Sequence, residues 1–278
     1  MNNKKLITAL LTLCSLFAVA LQARAEEPLP DKFRFSFGGF ALARFDSSIS
    51  MTEPNLGAGV SISPQDTLGL DVENQVLRIE GYYRFKPKHA LTYSWYSINT
   101  EGTKTLETEF EWVDQGGNTI TIPLGAQVAS TLDYDIFKVG YLWSFHHTDK
   151  VEMGVGAGLH ITRLALGLNA SSTNPAGSAI EQVDTTVPLP VISFVISYRI
   201  NPKWSWHLKT EAFALKFDKW AGSYRDATVG IEYRAWKNVA LGVGLSANSL
   251  EVEEEDPEYE LKFTNNISGG LLYVATYF

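Results

Sequence analysis

Cysteine is almost absent from this chain, whose single thiol is Cys14. That residue lies in an apolar run, residues 7–21, preceded by Lys4 and Lys5 and followed by Ala23-Arg24-Ala25. The pattern predicts a secretory signal over residues 1–25, cut before Glu26, with one domain over residues 26–278. The run is shorter than the roughly 20 residues of a helical span, and no stop-transfer pattern follows. Cys14 sits inside the apolar core before Ser15-Leu16-Phe17, so it is not read as a lipidation site. Cleavage would leave no cysteine, which excludes disulfides, thiolate chemistry and thiol–metal clusters. It would also remove Lys4, Lys5 and Arg24 with no acid, taking the formal charge from −8 to −11. So acidic a chain argues against nucleic acid as a partner. After Ala25 there is no apolar run of 18 residues, hence no transmembrane helix, and no glycine-rich phosphate loop leads into a helix.

What the chain has is alternation. Along residues 75–85, Leu77, Ile79, Gly81, Tyr83 and Phe85 share one face, with Arg78, Glu80, Tyr82 and Arg84 on the other. A strand with lipid outside and a lumen inside reads this way over about 10 residues. Nine further segments repeat it. They begin with residues 33–45, where Phe33, Phe35, Phe37, Ala41 and Ala43 oppose Arg34, Ser36 and Arg44, and continue through 90–99, 132–145 and the strand starting at Val151. The rest are those around Ile192–Arg199, Trp204–Glu211, Asp226–Arg234 and Val239–Asn248, and finally 261–278. In the last, Leu271, Tyr273, Ala275 and Tyr277 form one face and Leu272, Val274, Thr276 and Phe278 the other. The sequence leaves open which of them meets lipid.

Connections alternate in length. Lys86–His89, His146–Lys150, Asn201–Lys203 and Trp236–Asn238 are short; residues 46–73, 100–131, 168–185 and 251–258 read as long loops, while the link after Phe217 is brief. Short periplasmic turns and long external loops are the layout of outer-membrane barrels, with both termini periplasmic and an even strand count. The expected fold is all-β: a closed, antiparallel, up-and-down transmembrane β-barrel of about ten strands, with eight as the alternative. Phe85, Trp143, Phe145, Trp204, Trp206 and Trp236 cluster near the short turns, where an aromatic girdle at the inner interface belongs. Residues 105–113 and 119–122, flanking Asp114–Asn118, read as a hairpin continuing strands three and four above the membrane.

The alternation assigns Arg34, Arg44, Arg78, Glu80, Arg84, Glu152, Arg199, His207, Lys209, Glu211, Asp226, Glu232 and Arg234 to the lumen. Mixed signs in a barrel much narrower than a porin point to a salt-bridged interior or a narrow channel. Arg78, Glu80, Arg84, Lys209, Glu211, Glu232 and Arg234 are the candidate pore-filling or gating groups. No cofactor, metal site or catalytic residue is assigned. Asp133 and Asp135 near the external rim form a possible carboxylate pair, but no histidine accompanies them; solvated loop-end acids fit as well. A lipid-modifying enzyme would need His160 beside a serine and an acid facing lipid, yet His160 falls on the lumenal parity. His146, His147 and Asp149 carry ligand atoms, but adjacent strand residues point apart. The acidic stretch 251–258 could hold divalent cations that bridge lipopolysaccharide, or serve as a solubilising loop.

Leu77–Phe85 followed by His89, Val187-Pro188-Leu189-Pro190-Val191-Ile192 and Gly230–Arg234 resemble a family of small, largely uncharacterised Gram-negative outer-membrane barrels. The resemblance implies a barrel fold and no known activity. The export signal and the strand–loop layout place the chain in the outer membrane, with membrane lipids and lipopolysaccharide, and the barrel assembly machinery during biogenesis, as expected partners. The leading expectation is a structural or narrow-channel protein; the alternatives are an outer-leaflet lipid- or peptide-modifying enzyme and a loop-mediated adhesin or receptor.

Overall fold

The computed structural model describes residues 31–53, 58–62, 75–107, 109–113, 119–173, 176–217, 219–255 and 260–278. The expected signal segment and the turn 114–118 lie outside them. Thirteen strands occupy the described residues: β1 (Phe33–Glu53), β2 (Ala58–Ile62), β3 (Gln75–Lys86), β4 (His89–Thr105), β5 (Phe110–Val113), β6 (Thr119–Ile122), β7 (Gln127–His147), β8 (Val151–Thr173), β9 (Ala176–Arg199), β10 (Trp204–Phe217), β11 (Trp220–Trp236), β12 (Val239–Glu255) and β13 (Glu260–Tyr277). Ten of them run in the order β1-β3-β4-β7-β8-β9-β10-β11-β12-β13, each antiparallel to the next, and β13 pairs back onto β1 from Arg34–Tyr277 to Thr52–Glu260. The sheet is therefore a closed, ten-stranded, up-and-down barrel, and the eight-stranded alternative is set aside. Closure satisfies both edges of the backbone ladder internally, the condition for a sheet to cross hydrocarbon.

The short connections gather at one end, the turn end, together with Asp31, Lys32 and the chain's last residue. There Phe33 N–H donates to Phe278 O and Phe278 N–H donates to Phe33 O, both at 2.8 Å. At the opposite, loop end the strands run much further than the sequence suggested. β8 reaches Thr173 and β9 starts at Ala176, across what read as a loop over 168–185; β7 begins at Gln127 and β12 continues to Glu255. The expected hairpin exists, but β5 and β6 pair only with each other and do not extend the barrel strands.

The strands lengthen because alternation continues with its phase reversed. On β7, Phe137, Val139, Tyr141, Trp143 and Phe145 point outward and are exposed, whereas Val128, Leu132, Tyr134 and Ile136 point inward and are buried. The switch falls between Ile136 and Phe137. β4 switches between Trp95, which is exposed, and Tyr96, which is buried with Ile98. Below the switch the barrel wears an apolar belt, for example residues 137–145, 151–161, 227–236 and 239–247. Each stretch is about the 9–11 residues that a tilted strand needs to cross a bilayer core. Above it the outer face is polar (Asn99, Glu101, Asp133, Arg225) and the inside is an apolar core of Ile98, Leu106, Val128, Leu132, Tyr134, Leu166 and Ile267. Apolar side chains leave whichever side is wet: the outside in water, the inside where the outside is hydrocarbon.

Two assignments of parity are settled here. β1 carries a register shift between Leu42 and Arg44. One extra residue turns the strand over, so Arg44 is not lumenal as the alternation predicted; its side chain is 65% exposed, paired with Asp46. On β13, Leu271, Tyr273, Ala275 and Tyr277 are the inward set.

Candidate functional site: the barrel lumen

Charge enters the lumen because inward positions of the belt region are the only places where these side chains avoid lipid. They lie in three tiers. Nearest the turn end, the Arg84 guanidinium donates to Glu152 at 2.7 Å and lies 2.9 Å from an Asp31 oxygen. Tyr82 OH donates to Asp31 at 2.7 Å and His147 Nε2 sits 2.8 Å from the same carboxylate. Arg234 braces the β11–β12 turn, donating to Lys237 O at 2.6 Å.

The second tier centres on Glu232. Arg34 donates to it at 2.6 Å, Tyr273 OH at 3.1 Å, and Tyr277 OH donates to its other oxygen. Arg34 also lies 3.7 Å from Glu80, which receives Arg78 at 3.2 Å; Arg78 reaches across the barrel to Ser246 at 3.1 Å. In the third tier Lys138 Nζ is 2.7 Å from Glu211 and 2.9 Å from Asp226, and Lys209 adds a 2.8 Å contact to Glu211. Tyr224 OH donates to Asp226 at 3.0 Å. His160 is wholly buried with its ring edge-on to Tyr224, 4.3 Å between centroids. Directly beyond comes the apolar core, where Phe40 meets Tyr96 and Phe45 meets Tyr134 edge-on.

A cavity of about 340 Å³ opens at the turn end, lined among others by Asp31, Arg34, Glu80, Arg199, His207 and Lys209. Beyond it, a void of about 10 Å³ lies among Thr92, Lys138, Lys209 and Glu211, room for roughly one water. Among the described residues, the interior beyond this void is occupied by the third tier and the apolar core.

Of the seven candidate groups, the structure brings Arg78, Glu80 and Glu232 into one network and Lys209 and Glu211 into another, with Arg84 and Arg234 nearer the turns. Sequence reasoning did not count Lys138 among the lumenal charges, although its parity opposite Val139 showed it. It also passed over the tyrosines that hydrogen-bond the carboxylates. The aromatic candidates Phe85, Trp143, Trp204, Trp206 and Trp236 all lie near the turn end; Trp236 is 60% exposed, while Trp204 packs on Tyr233 at 4.9 Å. Asp133 and Asp135 stand on the outer wall opposite Asn99 and Ser97, whereas His160 points inward, so no dyad forms between them. Among the described residues, no three histidine, cysteine or acidic side chains are placed to hold a metal. Of the acidic stretch, residues 256–259 lie outside the described residues. Glu251 and Glu253 are bridged by Lys262, and Glu255 receives Lys216 at 3.2 Å. The Lys262 hydrogen bond holds the Glu251 carboxyl below its ordinary range.

No family model and no curated protein matches the sequence. Solved structures do match. The outer membrane protease OmpT from Escherichia coli aligns with a TM-score of 0.55 at 11% identity, covering 91% of this chain and 99% of that one. The chain has the fold of an outer-membrane β-barrel. The P. putida toluene transporter TodX (TM-score 0.38, 9% identity, 90% and 91% covered) and the Yersinia pestis attachment invasion locus protein Ail (0.28, 9%, 87% and 99%) align more loosely and add nothing to that statement. At such identities the likeness concerns architecture alone.

Closure of the second tier depends on space as well as charge. The Tyr273 ring lies across Gly242, where any Cβ would fall inside the ring. Gly242→Val should displace Tyr273 and break its hydrogen bond to Glu232, destabilising the barrel by about 1–3 kcal/mol or more. Urea titration of refolded protein measures this; unchanged stability would mean that the ring is free to move.

Proposed function

We propose that this chain is an integral outer-membrane protein of a Gram-negative bacterium, acting as a structural barrel closed to ion flow. Its turn end and both termini would face the periplasm, and its polar-walled extension would stand outside the cell. The observation that carries this reading is the stacked interior among the described residues: three paired-charge tiers followed by an apolar core, with a water-sized void between vestibule and core. Arg78, Glu80, Arg84, Lys209, Glu211, Glu232 and Arg234 would then be lumen-filling groups, with Phe85, Trp143, Trp204, Trp206 and Trp236 as the girdle at the inner interface. Membrane lipids, lipopolysaccharide and the barrel assembly machinery are the partners this placement entails. The projecting extension also favours a display role for the loop end, as a second reading.

Single-channel recording on refolded protein in planar bilayers tests closure. The expected trace is silent for the parent and for Arg78→Ala and Glu80→Ala, because the apolar core remains. Steady current steps that change on either substitution would establish a pore. Orientation is read by labelling intact cells with a membrane-impermeant maleimide: Glu255→Cys should label and Asp149→Cys should not.

A further inference from the structure

The barrel wall is incompletely zipped. β9 and β10 pair only from Arg199–Ser205 to Ile192–Ala212. Beyond that, among the described residues, 176–191 of β9 pair with β8 alone and 213–217 of β10 with β11 alone. The cause can be read from the ladder. Arg199 N–H donates toward β8, to Lys150 O, and Ile200 N–H donates the other way, to Trp204 O. The β8–β9 register runs without a bulge, so every even-numbered residue of β9 aims its nitrogen at β10. Pro188 and Pro190 are therefore the two positions directly after Ile192 where β10 would need a donor, and neither has one. The same prolines also protect the free edge against pairing with another strand.

The seam opens within the apolar belt, near its loop-side margin. Ile192 beside it is 71% exposed, the highest of the large apolar side chains described. Behind it lies a separate apolar cluster of Leu189, Val191, Phe213, Tyr224 and Leu250. Arg225, exposed on the outer wall and paired in register with Ala212, puts a positive charge at the margin.

We propose that this seam is a lipid site: one acyl chain of an anionic membrane lipid lies between β9 and β10 with its headgroup against Arg225. The proposal rests on the membrane placement above. The seam is continuous with the surface that lipid already covers, which favours lipid over a second protein chain.

The test uses the refolded barrel with phosphatidylglycerol or phosphatidylcholine as probe, read by native mass spectrometry. One phosphatidylglycerol should be retained per chain. P188V/P190V restores both donors, lets the seam zip, and should lower retention of both lipids at least tenfold. Arg225→Gln should weaken phosphatidylglycerol alone. Should the proline double variant fail to fold, Ala214→Trp, which fills the slot from outside, should give the same loss. Independently, V191C/F213C should form a disulfide slowly in the parent and quickly when P188V/P190V is added. Rapid disulfide formation in the parent, lipid retention indifferent to these substitutions, or a second copy of the chain retained in place of lipid would each overturn the proposal. None of these readouts depends on conductance, so a pore found in planar bilayers would leave this site standing.

Discussion

Glu232→Ala should destabilise the barrel by about 3–5 kcal/mol, the usual loss when one partner of a buried ion pair is removed. Glu232 is 3% exposed at its side chain and receives Arg34, Tyr273 and Tyr277. Without it the nearest carboxylate to Arg34 is Glu80 at 3.7 Å, its remaining hydrogen bonds go to the neutral Ser36 and Tyr277 hydroxyls, and two tyrosine hydroxyls lose their acceptor. Glu232→Gln should lose less, because the amide oxygen still accepts. The control is Arg44→Ala: Arg44 is also charged and ion-paired, to Asp46, but the bulge leaves it outside in water, where such a pair contributes about 0–1 kcal/mol. Urea unfolding of the refolded protein, followed by tryptophan fluorescence, measures all three. Similar losses for Glu232→Ala and Arg44→Ala would show that the second tier is wet and its pairing incidental.

Lys138→Ala should have an effect of the same size by the opposite route, stranding two carboxylates instead of one cation. The two should not suffer equally. Glu211 retains Lys209 at 2.8 Å, whereas Asp226 keeps the Tyr224 hydroxyl as its hydrogen-bond donor and only the longer-range charge of Arg78. Adding Asp226→Asn to Lys138→Ala should therefore recover more stability than adding Glu211→Gln. The same unfolding titration, run as a double-mutant cycle, reads the difference. A larger recovery from Glu211→Gln would mean that Lys209 does not hold its place.

The belt was legible because it is the simplest message in the chain: Phe137 to Phe145 alternate strictly, and five such neighbours force one face outward. Ten strands followed from counting those runs. Arg44 was misread because a bulge leaves no mark in local composition. The loop-end strands were misread because an apolar-outside template was held past Ile136, where outer wall and core exchange roles; the adjacent large pairs Ile136-Phe137 and Trp95-Tyr96 mark the exchange in the sequence itself. The partners of each lumenal charge were not legible. Arg34 and Glu232 are neighbours only because β13 closes on β1 and brings Tyr273 and Tyr277 between them. The open seam was half legible. Pro188 and Pro190 announced missing donors, but only the ladder showed that both were missing on the β10 side.

The reversal of phase along one strand is the claim on which fold, closure and function all rest. Single spin labels placed at each position from Ser130 to Phe145, in refolded protein in bilayers, test it by accessibility to oxygen and to a water-soluble nickel chelate. Labels at 137, 139, 141 and 143 should favour oxygen and those at 131, 133 and 135 the chelate, with 132, 134 and 136 protected from both. Oxygen preference continuing with unbroken parity to residue 131 would contradict the account.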